Sequence, residues 1–161
     1  AGEAARGGLA SDEVRAILRD GDGRLWVGGA KGLDLLADDG QVTRYTKDPT
    51  DPASLADDYV MSLYQDRAGL LWVGTRAGGV SRWNPRSWLF GHRRPDWLDG
   101  AYVMSFAEGP RGRLWIGTLG GGLHRYDPAT KAHQRLESLL GGSPGLDDPR
   151  VMSLLADRAG N

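Results

Sequence analysis

Short apolar runs recur along the chain at a long interval. Val14–Asp20 (VRAILRD), Val60–Asp66 (VMSLYQD), Val103–Gly109 (VMSFAEG) and Val151–Asp157 (VMSLLAD) each place apolar residues on both faces of seven positions. Double-faced apolarity over so short a run predicts a strand buried on both sides, although period alone leaves a short helix open. The residues that follow decide for the strand. D-G-D-G, D-R-A-G, G-P-R-G and D-R-A-G have the chemistry of short hairpin loops with glycine at the positive-φ position. A second strand follows as Leu-Trp-Val/Ile-Gly at 25–28, 71–74 and 114–117. Glycine turns (AKG, RAGG, LGGG) lead to a third strand (GLDLLAD, GVSRWNP, GLHRYDP), which ends in the turn signals Asp38-Asp39-Gly40, Asn84-Pro85 and Asp127-Pro128. A more polar fourth strand is predicted at about 41–45, 88–92 and 132–136.

The spacing is that of an internal repeat. Trp26, Trp72 and Trp115 lie twelve residues after their leading valines, and Gly23, Gly69, Gly112 and Gly160 lie nine after theirs. Leu9, Leu55, Leu98 and Leu146 each stand five before, and the valines are 46, 43 and 48 apart. Four-stranded units of this length are β-propeller blades. Helical repeats share the period, but 25 glycines would break their long helices. The expected fold is therefore all-β. It has a loose lead-in (1–8), blade 1 (9–52), blade 2 (53–95), blade 3 (96–143) and the first strand of a fourth blade (144–161). The first strand should line the axis and be the most buried, and the fourth should form the outer edge. Trp26, Trp72 and Trp115 should pack between neighbouring blades, with Gly28, Gly74 and Gly117 as further structural positions. An incomplete arc would expose an apolar blade face at each end, so the 161-residue piece is expected to belong to a longer chain or to pair with other copies.

Composition narrows the function classes. A net charge of −1 gives no electrostatic case for nucleic acid or an acidic membrane surface. Without cysteine there is no disulfide, zinc-thiolate site or thiol nucleophile, which suits the periplasm as well as the cytoplasm. No apolar run approaches the roughly 20 residues that span a bilayer, and the N-terminus does not read as a signal peptide.

Trp-Asp repeats are disfavoured because no repeat Trp is followed by Asp, and kelch repeats because Lys31 replaces the first glycine of the doublet in unit one. The units resemble the two-component regulator propeller repeat. Unit two carries the resemblance at Ser54-Leu55, Val60, Leu63, Asp66, Gly69, Leu71-Trp72-Val73-Gly74-Thr75, Gly78-Gly79-Val80 and Arg82-Trp83-Asn84-Pro85. Unit three carries it at Leu114-Trp115-Ile116-Gly117-Thr118, Gly121-Gly122-Leu123 and Arg125-Tyr126-Asp127-Pro128, and the linker from Tyr45 to Leu55 (YTKDPTDPASL) is also characteristic. Gly29 in place of Thr, the shortened turn at Ala30-Lys31, and Gly109 in place of Asp depart from the pattern. The resemblance implies the extracytoplasmic, periplasmic input region of a membrane-bound histidine kinase, hybrid kinase or diguanylate cyclase. It would bind a small molecule or oligosaccharide without a cofactor and without catalysis, and would meet the membrane only through the parent protein. Two alternatives stand beside it: a lyase or glycosidase using rim carboxylates such as Asp57 and Asp148, and a protein-interaction platform.

Several motifs have plainer readings. Gly141–Gly145 (GGSPG) spells the nucleophile elbow but lies in a linker without its strand and helix. His92, His124 and His133 lack metal-ligand spacing and are read as surface residues. Asp20, Asp22, Asp66 and Asp157 sit in hairpin turns, where accepting backbone N–H bonds suffices. Arg82, Trp83, Arg86, Trp88, His92, Arg93, Arg94 and Trp97 read as charge protecting an outer edge. Binding is expected instead where the second-to-third-strand turns and the interblade linkers meet around the axis. That rim gathers Lys31, Asp57, Asp58, Tyr59, Arg76, Trp97, Tyr102, Leu119, Asp148 and Arg150, a mixture of acids, arginines and aromatics suited to a polar ligand.

Overall fold

The structure, a computed structural model, describes residues 3–5, 8–87, 89–93, 96–98, 101–136 and 149–156. Trp88, Arg94, the G-x-S-x-G run, Asp148 and Asp157–Asn161 lie outside the described residues, as do the side chains of His92 and Arg93.

Three antiparallel sheets follow the three units. Blade 1 holds β2 (Val14–Arg19), β3 (Leu25–Gly29), β4 (Gly32–Leu36) and β5 (Val42–Tyr45), preceded in the chain by β1 (Glu3–Ala5). Blade 2 holds β6 (Val60–Gln65), β7 (Leu71–Thr75), β8 (Val80–Asn84) and β9 (Leu89–Arg93). Blade 3 holds β10 (Tyr102–Glu108), β11 (Leu114–Leu119), β12 (Gly122–Tyr126) and β13 (His133–Arg135). Hairpins keep each sheet in chain order, from β2 to β5, β6 to β9 and β10 to β13. The register repeats: Leu18–Trp26–Leu35, Tyr64–Trp72–Arg82 and Ala107–Trp115–Arg125 face one another across the first three strands. Gly23, Gly69 and Gly112 close the first hairpins at φ of 83, 81 and 71°, as their turn chemistry requires.

The first strand of every blade is irregular at the same place. Its pairing register shifts between Val14 and Ala16, Val60 and Ser62, and Val103 and Ser105. Such bulges re-aim a side chain at a strand end; in blade 1 that residue is Arg15.

Alternation along the strands builds two interblade layers. Trp26, Leu33, Leu35 and Tyr45 of blade 1 meet Leu55, Val60, Leu71, Val73, Trp83 and Phe90 of blade 2. Trp72 and Val80 on the opposite face of blade 2 meet Leu98, Val103, Phe106, Leu114, Ile116 and Tyr126 of blade 3. Trp26 is fully buried, with its ring centroid 4.8 Å from that of Trp83, and Trp72 (3% exposed) lies 6.2 Å from Tyr126. The hairpin aspartates serve these indoles as well as the turn. Asp66 Oδ1 accepts from the N–H groups of Ala68 and Leu70, and Oδ2 accepts from Trp72 Nε1 (2.7 Å). Asp20 accepts likewise from Asp22, Arg24 and Trp26 Nε1 (2.8 Å), and the Arg24 guanidinium fills its remaining edge. Asp66→Ala, which strips three donors of their acceptor, is expected to lower stability by about 2 kcal/mol. An unchanged urea midpoint in that variant would mean the clasp contributes nothing.

Several expectations need correction. The second strand, not the first, is the most buried: every residue of β7 is buried, while β6 is only partly buried and β2 is mostly exposed. A first strand has one ladder partner, and among the described residues no blade covers the other face of β2, so Ile17 is 65% exposed. Trp115 is only half-buried, for two reasons. Its face points away from blade 2, towards residues 154–156 and a groove of about 180 Å³; and Gly109 stands where the other units place the clasping aspartate. Trp83 is core, at 1% exposure, rather than edge protection. The lead-in also has structure. β1 pairs with β5 as a fifth strand, Ala10 N–H donates to the buried Asp34 Oδ2 (2.5 Å), and Arg44 joins Asp34 Oδ1 to the Gly8 carbonyl. Ala56 N–H and Ser81 Oγ make the equivalent contact in unit two (3.0 Å).

Unit four begins as the others do. Gly122 N–H donates to Pro149 O (2.9 Å), as Gly32 N–H does to Asp58 O (2.7 Å), and Val151 N–H donates to Thr118 O (2.8 Å). Residues 151–156 then run without a ladder partner among the described residues, which leaves Leu155 exposed.

Candidate ligand-binding rim

Two sequence positions converge at one end of each blade because the first and second strands are antiparallel. One precedes the leading valine: Glu13, Tyr59, Tyr102 and Arg150. The other lies at or just past the end of the second strand: Ala30, Arg76 and Leu119. Backbone bonds join them, Arg76 N–H to Tyr59 O (2.9 Å) in blade 2 and an isolated bridge between Leu119 and Arg150 at the start of unit four.

The side chains form a chain of contacts across three blades. The Arg76 guanidinium carbon lies 5.2 Å from the Tyr59 ring centroid and 5.4 Å from that of Tyr102. Arg15, at the bulge, lies 5.9 Å from the same Tyr59 ring, and its Nη2 donates to the Tyr59 hydroxyl (3.2 Å). That hydroxyl donates to Glu13 Oε1 (2.6 Å), and Arg15 pairs with the same carboxylate. The Tyr59 hydroxyl first, and Arg15 second, hold the Glu13 carboxyl below its usual range.

Among the residues singled out from the sequence, Tyr59, Arg76 and Tyr102 come together. Lys31 is exposed on the shortened turn of blade 1. Asp57 and Asp58 are spent on the loops: Asp57 Oδ2 accepts from Ala77 N–H (2.8 Å), and Asp58 Oδ1 from Lys47 N–H (2.6 Å). Asp57 thus acts as a loop clasp, and Asp148, its expected catalytic companion, lies outside the described residues. Beside Asp57 the linker borders an open cleft of about 340 Å³, whose Asp48 and Asp51 cap their own turns. Glu13 and Arg15 were missed, although Glu13 holds the same pre-valine register as Tyr59 and Tyr102.

Trp97 belongs elsewhere. Its ring stacks on His133 (centroids 3.8 Å apart, planes 4° apart) and lies 5.0 Å from His124, so it packs against blade 3 near outer strand β13. His124 is not a surface residue either: it is 2% exposed, its Nδ1 is 2.8 Å from His133 Nε2, and its other edge faces the Gly121 backbone. Burial first, then His133 and Arg135, push its pKa down to about 4, and burial lowers that of His133. The folded chain therefore keeps His124 neutral, while the unfolded chain protonates it near 6.5. Stability from this group is whole above about pH 6.5 and is lost as pH falls towards about 4, by roughly 3 kcal/mol in total. His124→Gln should flatten that part of the thermal-midpoint profile; the same acid slope in the variant would assign it to other groups. Among the described residues no group of three His, Asp or Glu could hold a metal, and no helix is long and apolar enough to cross a membrane.

Residues 8–31, 54–77 and 98–120 match the two component regulator propeller family. No curated protein matches the chain. Among solved structures, the extracellular domain of a putative hybrid two component system from Bacteroides thetaiotaomicron is 22% identical over 97% of this chain, with a TM-score of 0.79. The extracellular domain of another such system from that organism is 20% identical over 88%, with a TM-score of 0.74. This chain spans about a fifth of either domain, 20% and 21%. A virginiamycin B lyase from Staphylococcus aureus is 20% identical over 83% of this chain and 45% of its own, with a TM-score of 0.56. At these identities the likeness is one of fold, and it matches the three sheets and their meander order. Three stretches of the chain, each running from the repeat leucine through the Leu-Trp strand, therefore carry the two component regulator propeller repeat.

Proposed function

We propose that the chain is part of the input propeller of a membrane-bound two-component-type receptor. It binds a polar ligand such as an oligosaccharide at the rim and leaves that ligand chemically intact. The observation that carries this reading is the Tyr59–Arg76–Tyr102 stack, with both rings within 5.4 Å of one guanidinium. Its members stand on strand ends of two consecutive blades, so a ligand resting there touches both and biases their packing. The occupied state then reaches a kinase or cyclase output outside this segment, from the periplasmic side of the inner membrane. Further blades, from the same propeller or a second copy, cover the open faces marked by Ile17 and Trp115.

Calorimetric titration against a panel of oligosaccharides, followed by sizing of the sugar, tests the reading. Binding with the sugar intact is expected, and Arg76→Ala or Tyr102→Ala should weaken it roughly tenfold. A shortened sugar would make the chain an enzyme. Loss of affinity in Arg113→Ala but not in the rim variants would move the site to the outer part of blade 3.

A further inference from the structure

We propose that the rim selects an anionic saccharide, one bearing carboxylates as a uronate does, and that Arg76 is the residue setting this specificity; the inference rests on the rim being the ligand site. The geometry carries it in three steps.

First, the ring faces a neutral sugar would stack on already carry guanidiniums. Arg76 lies over both Tyr59 and Tyr102, and Arg15 also lies over Tyr59. A neutral pyranose would have to displace these cations before its C–H face met an aromatic ring.

Second, the rim carboxylates are turned to the protein. Glu13 is taken by Arg15 and the Tyr59 hydroxyl, Asp57 by Ala77 N–H, and Asp58 by Lys47 N–H. Among the described residues no carboxylate lies within ion-pair distance of Arg76, although Arg15, Arg24, Arg44 and Arg113 each have one. Arg76 is exposed, lies over the two aromatic rings and bonds the Tyr102 hydroxyl, while Asp57 acts on it only from beyond ion-pair distance.

Third, the Arg76 guanidinium spends one donor on the Tyr102 hydroxyl and keeps its remaining N–H groups for a ligand. It is weakly hydrated and fixed in orientation, so a carboxylate meets a fork matched to its two oxygens at little cost in ordering. Lysine on the same stem would keep the charge and lose the fork.

The test uses the whole chain and two probes, a galacturonate tetramer and the same tetramer with every carboxylate methyl-esterified. Titration should show the acid form binding at least about tenfold more tightly than the ester, with the advantage shrinking as salt is raised. Arg76→Gln should abolish the difference, Arg76→Lys should keep only part of it, and Arg113→Gln, at the far end of β11, should leave it unchanged. Circular dichroism checks that the Arg76 variants are folded, and the acid–ester comparison on the unaltered chain stands without them. Equal affinity for acid and ester would overturn the anionic selection while leaving a ligand-binding rim in place. An acid preference that survives in Arg76→Gln would overturn the role of Arg76. Binding of neither these probes nor any neutral oligosaccharide would overturn both this inference and the reading it rests on.

Discussion

Replacing Trp72 with alanine is expected to cost about 3–5 kcal/mol of stability, and the same change at Trp115 less than half of that. The two residues hold the same place in their repeats, twelve after the leading valine, and differ only in surroundings. Trp72 is 3% exposed, packs on Leu98, Val103, Phe106 and Tyr126 of the next blade, and donates its indole N–H to Asp66 at 2.7 Å. Removing it opens a cavity that two rigid sheets cannot close and leaves the Asp66 carboxylate short of a donor. Trp115 is half-buried and lacks the aspartate, and Arg125 covers part of its ring from 5.9 Å. Urea midpoints of the two variants measure the difference. Equal shifts would mean that the blades do not stack through these tryptophans as described.

Gly74→Ala is expected to cost about 3 kcal/mol or more, through overpacking rather than a cavity. A methyl group there would lie 2.2 Å from Ser62 Oγ, 2.6 Å from Val103 Cγ1 and 2.8 Å from Val103 O. Ser62 Oγ donates to that same carbonyl at 2.9 Å, so one added carbon meets both an interblade hydrogen bond and the backbone of blade 3. Gly69→Ala is the control. Its φ of 81° makes alanine strained, but nothing lies within 4 Å of the new methyl group, so the cost should stay near 1–2 kcal/mol. If Gly69→Ala proved the more damaging, backbone conformation and not close blade approach would explain the glycines that follow the tryptophans.

Strand count, order and hairpin chemistry were legible along the chain because they depend on residues a few positions apart. Alternating side chains, glycine at a positive-φ turn position and proline after the third strand act within one unit. Three repeats in register made the pattern plain enough to place the fourth strands, found at Val42–Tyr45, Leu89–Arg93 and His133–Arg135, to within two residues. The convergence of Tyr59, Arg76 and Tyr102 was legible for the same reason, since equivalent positions in equivalent blades must meet at the same rim. What the units do to one another is a different matter. Trp26, Trp72 and Trp115 are alike in sequence, but whether each is buried depends on a face presented by residues some 45 positions away. Trp97 reads as a rim aromatic until His133, 36 residues later, stacks on it, and the same cluster takes His124 out of water. Glu13 and Arg15 look like ordinary charges at the start of a first strand until the Tyr59 ring and hydroxyl, supplied by the next blade, join them to the rim. Local chemistry determined the blade. Burial, pairing of charges and the composition of the rim were decided by the packing of one blade on the next, because desolvation and contact act between surfaces that only the folded arc brings together.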